Sequence, residues 1–196
     1  MRIIAGEYRG FQLKAPKGND TRRTTDRVRE SMMSSVNSAL GGFDDAVVLD
    51  AFAGSGALGL EAISRGARSA CFYDAAGEAV KIVNDNVKKL GLDARRARVN
   101  KADVMKNPPK YARPPFNLVF FDPPYAYGAA DVLKLAADLR AKSVVADDAL
   151  IVYEHATVDK EAVNLACESL GLTCFQQKKY GETVVSMIEF ERQIEA

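Results

Sequence analysis

Val47-Val48-Leu49-Asp50-Ala51-Phe52-Ala53-Gly54-Ser55-Gly56-Ala57-Leu58-Gly59 is the stretch that decides the fold. A short apolar run ends in a carboxylate, breaks into glycines and resumes as an apolar helical pattern ending near Arg65-Gly66. Gly54, Gly56 and Gly59 fit G-x-G-x-x-G in the strand–turn–helix context that gives the spacing its meaning. Asp74 lies twenty residues past Gly54 and closes the next apolar run, Ala70-Cys71-Phe72-Tyr73. It is placed to accept both hydroxyls of a ribose. Open α/β sheets bind ligands at the carboxyl ends of their strands, where both aspartates fall.

Outward from this stretch, strand and helix patterns alternate. A helix is expected over about 78–90, a strand near 98–100 and a fourth strand over 116–121. A helix over about 129–142, a strand over 149–153 and a helix over about 160–170 follow. Strands over about 173–178 and 184–190, joined through Tyr180-Gly181-Glu182-Thr183, read as a closing antiparallel hairpin. The fold class is therefore α/β, Rossmann-like, with a mostly parallel sheet, an antiparallel carboxyl-terminal hairpin and a small amino-terminal hairpin and helix. Residues 1–40 read as an arm and helix extending the domain formed by residues 41–196.

The fourth strand runs into Asp122-Pro123-Pro124-Tyr125. An aromatic ring can stack on a planar base, and a carboxylate can accept from its exocyclic amine. Prolines fix the backbone so that a carbonyl can point at the same amine. Taken alone, the tetrapeptide reads equally well as a tight turn.

The glycine turn fits a dinucleotide or S-adenosylmethionine. A pyrophosphate would favour cations or unburdened amides at the helix start. Asp50 just ahead of the turn suits a ligand bearing ammonium and sulfonium charges, and residues 122–125 add a methyl acceptor's site. S-adenosyl-L-methionine is the expected cofactor, held by Asp50, Phe52, Ala53, Gly54, Ser55, Gly56 and Asp74. Asp103 could reach the adenine amine or cap the turn before Val104.

At 196 residues, 47% hydrophobic and 27% charged, the composition is that of a soluble globular chain. No apolar run suits a membrane span, and no signal-peptide pattern opens the sequence. Cys71, Cys167 and Cys174 have neither metal-ligand spacing nor an even count, so no metal is expected and the thiols read as reduced, in a cytoplasmic protein. The single histidine, His155, reads as structural or superficial. Residues 1–30 carry eight Lys or Arg against four Asp or Glu; the remainder carries nineteen against twenty-two. A basic arm on a mildly acidic body suits a polyanionic partner. In Thr21-Arg22-Arg23-Thr24-Thr25-Asp26-Arg27-Val28-Arg29-Glu30, a Thr or Asp can cap a helix whose apolar positions are Val28, Met32, Met33 and Val36.

Four motifs together resemble the RsmD family of bacterial 16S ribosomal RNA guanine-N2 methyltransferases, within the class I S-adenosylmethionine-dependent fold. They are Arg2-Ile3-Ile4-Ala5-Gly6 with Arg9-Gly10, the Thr24–Glu30 stretch just quoted, residues 49–62 with Ser64-Arg65-Gly66-Ala67, and Asp122-Pro123-Pro124-Tyr125. The resemblance runs over nearly the whole chain. It implies methylation of one guanine amine in 16S rRNA, within a small-subunit assembly particle; the chain is expected to be a monomer. It implies that residues 54–56 and Asp74 hold the cofactor, and that Asp122, Pro123, Pro124 and Tyr125 hold the base. The arm would meet RNA, through Arg2, Arg9, Arg22, Arg23, Thr24, Arg27 and Arg29. The chain departs from the family pattern in three places: Arg23 replaces a proline, Asp74 a glutamate and Ala76 an acidic residue. The tetrapeptide also serves adenine amines, so a DNA adenine-N6 methyltransferase is an alternative, though nothing here looks like a DNA-reading domain. A non-catalytic RNA-binding module is a further alternative, whereas an NAD-dependent oxidoreductase would leave residues 122–125 without a role.

Overall fold

Strands buried on both faces carry continuous apolar runs, and β1 (Val47–Asp50) is buried at all four positions. The computed structural model describes residues 1–15, 26–124 and 126–191. The chain divides into two compact units, Met1–Asn107 and Pro108–Ala196. The amino-terminal arm and the first helix belong to the first unit.

In that unit α1 spans Asp26–Leu40, followed by β1, α2 (Ala57–Ser64), β2 (Ser69–Asp74), α3 (Gly77–Lys89) and β3 (Ala97–Lys101). β1 pairs parallel with β2 from Val47↔Ser69 to Asp50↔Phe72, and β2 pairs parallel with β3 from Ala70↔Ala97 to Asp74↔Lys101. Parallel neighbours require a crossover, supplied by α2 and α3. The register brings Asp50 and Asp74 to the same, carboxyl-terminal edge.

The arm makes one antiparallel bridge, Arg2↔Gln12, closed by Ile3 N–H to Phe11 O at 3.0 Å, Gly10 N–H to Ile3 O at 2.8 Å and Leu13 N–H to Met1 O at 3.0 Å. Ile3 and Leu13 are buried. The expected small hairpin is thus present in its shortest form.

In the second unit, β4 (Phe116–Phe121) leads through α4 (Ala129–Ala141) to β5 (Val145–Ala156), then a 3-10 turn (Thr157–Asp159), α5 (Lys160–Leu170), β6 (Leu172–Tyr180) and β7 (Thr183–Phe190). β5 pairs parallel with β4 and antiparallel with β7, and β7 pairs antiparallel with β6. The carboxyl-terminal hairpin is as expected. β5 starts four residues earlier than its apolar run, because partners jump from Phe116↔Val145 to Leu118↔Leu150. The intervening Asp147 and Asp148 are exposed in this irregularity, which hides the strand's start from a reading of apolar pattern.

His155 is buried in this unit. Its Nδ1 donates to the Ala156 carbonyl at 2.9 Å, so Nε2 accepts from the Ser186 hydroxyl at 2.8 Å. Among the described residues, no helix is long and apolar enough to cross a membrane. No group of three or more His, Cys, Asp or Glu among them could hold a metal.

Candidate active site

The glycine turn is built by two carboxylates. Asp50, 3% exposed at the end of β1, accepts the Gly59 amide through Oδ2 at 3.0 Å, fastening the first turn of α2 to the strand. Asp74 at the end of β2 accepts the Gly54 amide through Oδ2 and the Ala76 amide through Oδ1, each at 2.8 Å. The loop is also held by Ala53 N–H to Tyr73 O and Gly56 N–H to Ala53 O. Both aspartates therefore set the shape of the turn. Each carboxylate oxygen has a further lone pair, so Asp74 keeps acceptor capacity for ribose hydroxyls.

The three glycines serve different ends. A Cβ at Gly59 would overlap the Phe72 ring and stand 3.2 Å from Asp50 Oδ2, and one at Gly56 would lie 3.1 Å from Val83. Gly59 permits close packing of α2 on β2, and Gly56 permits close approach of the turn to α3. At Gly54, with φ +54°, a Cβ would meet nothing within 4 Å. Gly54 is thus the member of the motif whose missing side chain opens a cradle for a ligand. Phe52 and Gly54 are half-buried, while Ala53, Ser55 and Gly56 are buried. The open cradle, the acidic strand end and the remaining acceptors of Asp74 fit a neutral ribose and a cationic amino-acid moiety better than a pyrophosphate.

Asp103 accepts the Met105 amide at 3.0 Å and lies 3.6 Å from Lys106 Nζ. This is a turn cap. The adenine contact expected of Asp103 gains no further support from this geometry.

The arm docks on α2. Glu61, with no exposed surface, accepts the Ile4 amide at 2.8 Å, the Ala5 amide at 3.0 Å and Arg65 Nε at 2.9 Å. Ser64 O accepts the Glu7 amide at 2.7 Å, and Ser64 Oγ donates to Ala5 O at 2.6 Å while accepting the Tyr8 amide at 3.0 Å. Gly6 lies so close that a Cβ there would overlap the Ser64 carbonyl. The Ile-Ala-Gly motif near the start and the Glu61…Ser64-Arg65 motif on α2 are thus two halves of one joint. Sequence reasoning missed Glu61 because a carboxylate in an otherwise apolar helix becomes intelligible only with its amide partners.

Arg2, Arg9 and Arg27 are exposed, and Arg2 pairs with Asp26 at 3.1 Å. Arg29 corrects an expectation. It is 1% exposed, donating to the Arg2 carbonyl and to Asp26 Oδ1 at 2.9 Å. Burial pulls its pKa below the ordinary value, opposed by Asp26 and Glu61. Arg29 fastens the arm and presents no charge to RNA. Its position was legible: Arg29, Met32, Met33 and Val36 follow i, i+3, i+4, i+7 on the buried face of α1. Arg22, Arg23 and Thr24 lie outside the described residues.

In the second unit, Asp122 leaves β4 half-buried, Pro123 is buried and Pro124 exposed. Pro124 O accepts the Tyr127 amide at 3.1 Å. Tyr125 lies outside the described residues.

A family model described as conserved hypothetical protein 95 matches residues 1–189. The chain belongs to this family, RsmD. Within it, the chain is 39% identical over 157 residues to the ribosomal RNA small subunit methyltransferase D of Escherichia coli K12, covering 79% of this chain and 74% of that one. It is 36% identical over 190 residues, 95% of this chain and 97% of the other, to the provisionally named rRNA methyltransferase YlbH of Bacillus subtilis. A solved Escherichia coli structure, provisionally named methyltransferase yhhF, superposes with a TM-score of 0.77 at 31% identity, covering 98% of this RsmD-family chain and 99% of the other. The fold is that of a class I methyltransferase.

Proposed function

We propose that this chain is an S-adenosylmethionine-dependent ribosomal RNA methyltransferase that methylates the exocyclic N2 amine of a guanine in 16S rRNA. The observation that carries the reading is the presence in one chain of Asp122-Pro123-Pro124 at the end of β4 and of open space at the Gly54 turn, in a family whose Escherichia coli member is named for small-subunit rRNA. S-adenosylmethionine supplies an electrophilic methyl group when bound. Gly54 and Asp74 would hold its adenosine, and the carboxylate of Asp50 would favour its cationic end.

The amine of guanine is a poor nucleophile because its lone pair is delocalised into the ring. Asp122 and the Pro123 carbonyl, each accepting one N–H, would favour a pyramidal nitrogen. That nitrogen would bond to the methyl carbon as the carbon–sulfur bond breaks, leaving S-adenosylhomocysteine and releasing one proton from nitrogen. Positioning and electrostatics supply the acceleration. Tyr125, stacking on the base, would contribute roughly 1–3 kcal/mol. The guanine must be unpaired or turned out of its helix. Arg2, Arg9 and Arg27 are the described cations that would meet phosphate.

Mass-spectrometric mapping of methylated guanines in 16S rRNA, from cells with and without the gene, tests the reading. One N2-methylguanine should vanish with the gene and return with its wild-type copy. An unchanged guanine map would overturn the substrate assignment.

A further inference from the structure

Asn86, on α3, has no exposed surface, and nothing in the proposed chemistry uses it. Its Oδ1 accepts the Lys14 amide at 2.8 Å. Its two Nδ2 protons go to Lys14 O and Ser55 O, each at 3.0 Å. One amide thus joins both backbone groups of Lys14, at the end of the arm, to the centre of the glycine turn. The arm reaches Ser55 a second time, through Ser55 Oγ and Met1 Sδ at 3.4 Å.

The Ser55–Gly56 peptide ends on a positive-φ glycine, Gly56, where rotation of the peptide plane meets less steric resistance than it would beside a Cβ. Gly56 N–H is held by Ala53 O on one side of that plane, and Ser55 O by Asn86 on the other. Removing Asn86 frees one edge of the plane. So does removing the arm, because Asn86 then loses the partner that orients its amide.

We propose that Asn86 is a positioning residue that couples docking of the amino-terminal arm to the order of the cofactor turn, so that the docked arm tightens S-adenosylmethionine binding. The inference rests on the cofactor reading above. Two states are involved, arm docked with turn locked and arm released with turn loosened, and the cofactor favours the first.

The test is calorimetric titration of the full chain with S-adenosylmethionine, alongside hydrogen exchange at the amides of residues 53–56 without ligand. Asn86→Leu should raise Kd at least about five-fold and speed that exchange. Lys14→Pro deletes the amide that Asn86 accepts and leaves Asn86 itself intact, so it should raise Kd comparably. Lys14→Ala removes only the exposed ion pair with Asp85, 2.6 Å in length, and should leave Kd within two-fold. The double variant Asn86→Leu, Lys14→Pro should be no weaker than the worse single one, the mark of a shared linkage.

If Lys14→Pro binds like the wild type and its turn amides exchange at the same rate, the coupling is wrong even should Asn86→Leu fail to fold. If the wild type does not bind S-adenosylmethionine, the cofactor reading fails separately. In that event, unchanged exchange in Lys14→Pro would sink the structural linkage too.

Discussion

Gly6 and Gly10 share a backbone conformation, with φ +84° and +85°, and differ in what surrounds them. A Cβ at Gly10 meets nothing within 4 Å, whereas one at Gly6 overlaps the Ser64 carbonyl and stands 2.8 Å from the Arg65 nitrogen. Alanine at either position costs about 1–2 kcal/mol for left-handed backbone. Part of that is offset, because alanine also restricts the unfolded chain. Gly10→Ala should therefore cost about 1 kcal/mol. Gly6→Ala cannot keep its place, because the obstacle is backbone at the end of a buried helix. The arm must lift there, giving up the bonds Glu7 N–H to Ser64 O, Tyr8 N–H to Ser64 Oγ and Ser64 Oγ to Ala5 O. At about 1 kcal/mol for each bond, the total approaches roughly 4 kcal/mol. For a chain of this size each kcal/mol moves Tm by about 2–4 °C, so Gly6→Ala should melt roughly 10 °C low and Gly10→Ala about 3 °C low. Thermal unfolding measures the difference, and hydrogen exchange at the Glu7 and Tyr8 amides shows whether the arm has lifted. Equal losses in the two variants, within about 1 kcal/mol, would refute the account of arm docking.

Asp122→Ala should abolish methyl transfer in a radiolabel assay on 30S or 16S substrate while S-adenosylmethionine Kd stays within about two-fold; normal turnover would remove Asp122 from the chemistry. Replacing both Arg2 and Arg9 with Gln should weaken RNA binding and flatten the slope of log K against log salt by about 0.7–0.9 per lost phosphate contact, whereas Arg29→Gln should act mainly on stability. Burial holds the His155 pKa below its ordinary value, so the unfolded chain binds the proton more readily than the folded one. Stability should then be level above neutrality and fall as pH drops through the unfolded value of about 6.5. His155→Gln should remove that slope in urea titrations between pH 5 and 8, and a slope unchanged by the substitution would assign it to other groups.

Elements whose apolar pattern is set by their own neighbours were legible in the sequence. β1 and β4 lie where their buried runs placed them, and Gly54, Asp50 and Asp74 lie at the strand edge their spacing implied. What escaped the sequence depends on partners far along the chain. Glu61 and Asn86 are polar groups without surface whose hydrogen bonds reach residues 57 and 72 positions away. No local pattern distinguishes such a residue from a solvated one. Arg29 shows the converse, since its helical register outweighed the charge that suggested an RNA contact. β5 was shortened for a local reason, because two exposed aspartates in an irregular pairing look like a loop.

The joint at Glu61 and Ser64 also orders events during synthesis. The amides of Ile4, Ala5, Glu7 and Tyr8 are made first, but every acceptor that receives them is encoded 56 or more residues later. At about 5–20 residues per second, the nascent arm waits roughly 3–11 seconds for its acceptors to be polymerised. It must wait still longer for α2 to leave the exit tunnel and coil. For that interval the apolar Ile3 and Leu13 have no core to enter, and the arm stays undocked while the strands from β4 to β7 are still to be made. A chaperone acting on the nascent chain would find its exposed target there.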